Sequence, residues 1–159
     1  MNILAYSAVA AAALMSVTSA AEARSTKCVP VSTAAVEGLF VKFNSAWATQ
    51  DPAKVTALFT KDAVLLATVS NTPRTTPDGI NDYFVSFLKN APVGTINTST
   101  VKLGCNTAAR LGTWTVTFTD AKTGTKSDVK ARYSFLYRME AGTWKIDHLH
   151  SSMMPEPTA

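Results

Sequence analysis

The sequence predicts an α+β domain, a strongly curved antiparallel (mixed) β-sheet packed against three N-terminal helices. Apolar residues recur at intervals of three and four in the first half of the chain, and at intervals of two after Pro92. A capping residue directly before proline, at Asp51-Pro52 and again at Thr76-Pro77, marks two of the helix starts.

The first helix is expected over residues 32–50, where Val36, Leu39, Phe40, Phe43, Ala46 and Trp47 make one apolar stripe. A second, short helix follows over about 52–60. Residues 63–69, rich in Val and Leu, read as a first strand, and 71–74 as a loop. The third helix runs from Pro77 to about Asn90, with Ile80, Tyr83, Phe84, Phe87 and Leu88 on one side.

Strands follow. Residues 94–103 are rich in β-branched side chains. Trp114, Val116 and Phe118 alternate with Thr113, Thr115, Thr117 and Thr119, a clean period of two. Residues 120–126 form a hairpin turn around Lys122-Thr123-Gly124. Val129, Ala131, Tyr133, Phe135 and Tyr137 alternate with more polar neighbours. After the turn Glu140-Ala141-Gly142, the last strand places Trp144, Ile146, His148 and His150 on one face. The domain is expected over 28–155, with 156–159 as a tail and no internal repeat.

Residues 1–23 contain no Lys, Arg or Asp, and 3–15 are almost wholly apolar. The run is too short to span a bilayer comfortably and ends in Ser19-Ala20-Ala21-Glu22-Ala23. It is expected to be a cleaved signal peptide, with sites after Ala20 or Ala21 and after Ala23 in competition. The product would be periplasmic or secreted, with no membrane attachment. Its net charge would be +5, since all 15 basic residues remain and 10 of the 11 acids. Those cations are scattered, never three in a row, so no nucleic acid is expected as a partner. Cys28 and Cys105 are the whole thiol complement. In an oxidising compartment a lone pair favours a disulfide, and no C-x-x-C redox motif is present.

The last strand holds the most informative candidates. If Trp144 and Ile146 pack against the helices, His148 and His150 point the same way. They would then either donate to a ligand from a pocket wall or sit hydrogen-bonded at the core rim. H-x-H supplies two metal ligands and the chain has no third histidine, so no metal is expected. Tyr133 is a further pocket candidate. Arg132, of opposite parity, would need a bulge to join it. Arg74 precedes the third helix, whose free N–H groups could help it hold a carboxylate. Trp47 and Tyr83 would be either core or aromatic pocket wall.

Catalytic groups are scarce. Asp120, Asp128 and Glu140 fall at turns, and Asp147 points away from His148 by strand parity. No residue is a firm catalytic candidate; His148 or His150 would be the general base of an enzyme. G-x-S-x-G, the P-loop and the kinase signature set are all missing.

The strand order, and above all the stretch Gly142-Thr143-Trp144-Lys145-Ile146-Asp147-His148-Leu149-His150-Ser151-Ser152, resembles the cone-shaped NTF2-like superfamily. Within it the chain is similar to bacterial, SnoaL-like relatives of the association (hub) domain of calcium/calmodulin-dependent protein kinase II. Arg74-Thr75-Thr76-Pro77, Gly104-Cys105-Asn106-Thr107-Ala108 and Ala131-Arg132-Tyr133 support this. The resemblance implies a pocket at the open end of the cone. It also implies self-association through the outer sheet face, as homodimers or larger rings. Where the hub carries arginines in its pocket, this chain has Phe135 and Ser151.

No nicotinamide or flavin fingerprint is present, so no cofactor is expected. The function these readings favour is an exported module that self-associates and binds a small polar or acidic ligand, without kinase activity. The alternatives are a SnoaL/ketosteroid-isomerase-like enzyme and a purely structural oligomer.

Overall fold

A computed structural model describes residues 27–155, so the expected signal segment and the tail 156–159 lie outside it. One six-stranded sheet has the order β1-β6-β5-β4-β2, with β3 also on β4. The strands are β1 (Phe59–Leu66), β2 (Val93–Ile96), β3 (Thr100–Leu103), β4 (Thr107–Thr119), β5 (Lys126–Glu140) and β6 (Thr143–Met153). Only β1 is parallel to its neighbour, which makes the sheet mixed. Among the described residues no helix is long and apolar enough to cross a membrane.

Helix α1 (Thr33–Ala48) starts where the Ser32 hydroxyl accepts from Ala35 N at 3.1 Å. It buries Val36, Phe40, Phe43 and Trp47, the predicted stripe. Helix α2 (Pro52–Thr56) is capped by Asp51 but ends earlier than expected. Leu58 already accepts from Ile146 N at 2.8 Å, so pairing with β6 claims the residues that the helical pattern would have used. Helix α3 (Pro77–Phe87) is capped by Thr76 and closes through a 3-10 turn, Leu88–Asn90. Inward side chains of all three helices and of the sheet merge into one core, with Phe43 and Phe135 edge to face at 5.3 Å.

The expected strand over 94–103 is two strands. Asn97 N and Thr98 N both donate to Thr113 O, at 2.9 and 3.1 Å, and the chain steps out of the ladder before β3 resumes it. Gly112 admits this step: a Cβ there would lie 2.0 Å from Thr98 O. At the β5–β6 turn Ala141 and Gly142 have φ of 48° and 80°, left-handed values suited to a tight hairpin.

The N-terminal arm is fastened at the opposite side. Cys28 and Cys105 form the expected disulfide. Asn106 adds two bonds, accepting from Val29 N at 2.8 Å and donating to Lys27 O at 3.2 Å.

The last strand departs from simple alternation. Tyr137 pairs with Ile146, but Leu136 pairs with His148, so one extra residue, Asp147, is accommodated in β6. Such a bulge inverts the facing of everything beyond it. Ile146, Leu149 and Ser151 are buried, while His148 is half-buried and His150 exposed.

Candidate functional site

A funnel opens between α3, the segment leaving β1 and the β4–β5 hairpin. Its mouth has a volume of about 840 Å³ and is lined by Arg74, Asp82, Tyr83, Phe118 and Asp120 among others. Inside lies a chamber of about 20 Å³, bounded by Trp47, Leu65, Thr68, Trp114, Leu149 and Ser151. Val69, Tyr83, Phe87 and Phe118 border both spaces, so the chamber is the inner end of the funnel.

The wall is aromatic because α3 presents one face of its helical repeat to it. Tyr83 and Phe87, four residues apart, stack at 5.2 Å. Phe118 meets Phe87 edge to face at 5.5 Å from β4. Burial raises the Tyr83 phenol well above its ordinary pKa, against a weaker opposing pull from Arg74, so the wall stays neutral.

Arg74 is placed by two backbone bonds to Leu65, of 2.8 and 2.9 Å, which close the loop after β1. Its side chain lies along the first turn of α3, with Cδ 3.6 Å from where a Gly79 Cβ would stand. It donates to Thr72 O at 3.4 Å and has no carboxylate partner among the described residues. The guanidinium therefore stands at the mouth without a carboxylate beside it among the described residues.

The inner end is largely apolar and uncharged, with the hydroxyls of Thr68, Tyr83 and Ser151 and two indoles as its polar groups. Ser151, 5% exposed, accepts from Trp114 Nε1 at 3.0 Å and from the Thr68 hydroxyl. Trp47 is 2% exposed, and its indole N–H has no hydrogen-bond partner among the described residues. Among the described residues no Lys, Arg, His, Asp or Glu lines the chamber.

Three of the expected pocket residues, Trp47, Tyr83 and Arg74, meet at the funnel. The others do not. His148 and His150, expected inward, lie on the outer face beyond the bulge, with ring centroids 6.4 Å apart. His148 is paired with Val64 and Leu136, and His150 with Leu66 and Ser134. Arg132 is also outward: no bulge re-aims it, and it donates to Met153 O at 3.4 Å. Tyr133 faces inward, but its ring is core and its hydroxyl donates to Thr98 O at 3.0 Å.

Asp147 is held at the bulge. Its carboxylate lies 3.1 Å from Arg138 Nη1 and accepts from the Thr60 hydroxyl at 3.3 Å. Arg138 also pairs with Asp62 and Glu140. Asp62 has its carboxyl held below the usual range by that guanidinium.

Sequence reasoning missed Arg110 as an inward residue, and strand parity missed Ser151, which only the hub resemblance had set at a pocket position. The signal for Ser151 was Leu149, an apolar residue between two histidines, whose burial requires Ser151 to follow it inward. Arg110 continues the inward row back from Trp114 through Gly112. It is buried, donates to Ser99 Oγ at 2.9 Å and Glu37 O at 3.3 Å, and lies 5.5 Å over the Phe40 ring. It thereby ties α1 and the β2–β3 link to β4. Among the described residues no group of three or more His, Cys, Asp or Glu could hold a metal ion.

Residues 33–155 match the family described as calcium/calmodulin dependent protein kinase II association domain. The chain is similar to a solved candidate association domain of that kind from Xanthomonas campestris, at 44% identity over 83% of this chain and 97% of that one, with a TM-score of 0.76. An NTF2-like protein with a cystatin-like fold from Novosphingobium aromaticivorans superposes with a TM-score of 0.64 at 12% identity, covering 77% of this chain and 81% of that one. A candidate scytalone dehydratase from the same organism gives 0.67 at 13% identity, covering 77% and 83%. At such identities the last two show a shared fold alone. Among curated proteins none matches the chain.

Proposed function

The chain belongs to the calcium/calmodulin dependent protein kinase II association domain family, and from that premise we propose that it is an exported small-ligand-binding and self-association module without kinase activity of its own. The observation that carries the binding part is the funnel itself. An aromatic wall narrows from a mouth of about 840 Å³, and Arg74, with no carboxylate partner among the described residues, stands at its rim. That arrangement suits a small molecule whose ring lies against Tyr83, Phe87 and Phe118 while a polar or acidic end meets the guanidinium. A pocket histidine acting as base draws no support from this geometry, since neither imidazole lines the funnel.

Self-association is assigned to the outer sheet face. Two cross-strand rows run over it, Val64–His148–Leu136–Ala109 and Leu66–His150–Ser134–Leu111. Leu136 is 39% exposed there. A second copy laid on these rows would bury aliphatic side chains together with the imidazoles. Export is supported by the apolar N-terminal run and by the disulfide.

The test is binding of para-isopropylbenzoate to the mature protein, with light scattering on the same sample. Binding that weakens about tenfold in Arg74→Gln, by a species larger than a monomer, is expected. A monomer that binds no aromatic acid would overturn both parts. N-terminal sequencing of protein from the exported fraction should begin after Ala20, Ala21 or Ala23; an uncut chain retained in the cytosol would refute export.

A further inference from the structure

We propose that the funnel's ligand carries a neutral hydrogen-bond acceptor, a carbonyl or ether oxygen, at the end that enters the inner chamber, where it accepts from Trp47 Nε1. This rests on the funnel being the binding site and adds the chemistry of the deep end.

Buried indole N–H groups nearly always have a partner. Trp114 obeys the rule, donating to Ser151 Oγ at 3.0 Å. Trp47, on the same chamber, has none among the described residues although it is 2% exposed. The chamber's volume of about 20 Å³ is just above what one water-sized group needs, about 10–15 Å³. It therefore has room for about one oxygen atom.

Charge points the same way. Among the described residues the only ionisable group on the chamber is the Tyr83 phenol, so an anion entering would be desolvated with no cation to meet it. The cation stands at the mouth instead. The ligand read from both ends is thus an aromatic or alicyclic acid with a ketone, aldehyde or ether oxygen opposite its carboxylate.

The test compares para-acetylbenzoate with para-isopropylbenzoate, which has nearly the same shape and no acceptor at that end, on protein with ¹⁵N-labelled indoles. The acetyl compound should bind about five- to tenfold more tightly. It alone should move the Trp47 indole proton downfield, leaving that of Trp114 in place. Trp47→Phe should erase the preference, so that the two compounds bind alike; if that variant fails to fold, the indole shift in the native protein decides. Equal affinities with an unmoved Trp47 signal would overturn the inference and leave the funnel reading intact. If neither compound perturbs Tyr83, Phe118 or Arg74, the funnel reading falls and this inference with it.

Discussion

The Ser151 hydroxyl accepts a hydrogen bond of 3.0 Å from Trp114 Nε1, joining β6 to β4 across the inner face of β5. Thr68, just beyond β1, donates to the same oxygen. One buried hydroxyl therefore links three parts of the sheet at the point where the funnel ends. Ring packing would hold these strands together without it, but would not fix the orientation of the Trp114 indole.

Replacing Ser151 with Ala leaves the Trp114 N–H and the Thr68 hydroxyl without that acceptor. The expected cost is about 1–3 kcal/mol in urea unfolding, because a stranded buried donor loses its solvation outright. His150→Ala, one residue away on the outer face, should change monomer stability by less than about 0.5 kcal/mol. Equal losses at both positions would contradict the inverted facing beyond Asp147.

Gly112→Ala should destabilise the fold by about 1–3 kcal/mol, since its Cβ would fall 2.0 Å from Thr98 O and backbone must shift to admit it. The damage should be local. Amide exchange at Asn97 and Thr98, whose N–H groups both donate to Thr113 O, should accelerate more than exchange in β5.

The limits of reading this fold from sequence fall at single residues. The helix starts at Asp51 and Thr76 were legible because capping is local chemistry. So was the inward row of β5, where Ala131, Tyr133, Phe135 and Tyr137 keep strict alternation and are all buried. The bulge at Asp147 was not, because it depends on Arg138, Asp62 and Thr60 converging from elsewhere in the chain. That one inserted residue moved two histidines out of the expected pocket and brought Ser151 in. The funnel wall was partly legible, since Trp47 and Tyr83 belong to helical stripes. Whether a stripe residue borders a cavity depends on what stands opposite, which periodicity does not record.

Acid should reveal the Asp62–Arg138 pair. The guanidinium lowers the folded-state pKa of Asp62, so the unfolded chain takes up its proton at a higher pH than the folded chain does. The contribution is complete above the ordinary carboxylate value of 3.8 and disappears as pH falls through the lower folded value. Asp62→Asn should flatten the stability–pH curve below about pH 4 and leave its shape at neutral pH unchanged. The effect should be small and should weaken with salt, because the carboxylate is well exposed.

Opening the disulfide should be the costliest single change to the N-terminal arm. Cys28 and Cys105 are 77 residues apart in sequence, and closing a loop of that size contributes about 4 kcal/mol in the chain-entropy view. Cys28→Ser with Cys105→Ser should lower the unfolding midpoint accordingly. The paired bonds of Asn106 to Val29 and Lys27 should loosen at the same time, seen as faster amide exchange at Val29. A double variant as stable as the native protein would show that the arm is held without the covalent link.

The outer face gives the sharpest test of self-association. Leu136 sits between His148 and Ala109 in the middle of a cross-strand row and is 39% exposed, so a longer polar side chain there meets no core. Leu136→Lys should leave the thermal midpoint of a monomer nearly unchanged. In an assembly built through this face it would bury an unpaired ammonium group against a second copy and beside two imidazoles. The expected outcome is dissociation, with affinity between copies reduced on the order of a hundredfold, about 3 kcal/mol. Val85 provides the control: it is 44% exposed, but on α3 and away from the sheet. Val85→Lys should leave the mass measured by light scattering unaltered. If Leu136→Lys assembles as the native protein does, or if Val85→Lys breaks the assembly instead, the contact lies elsewhere on the molecule.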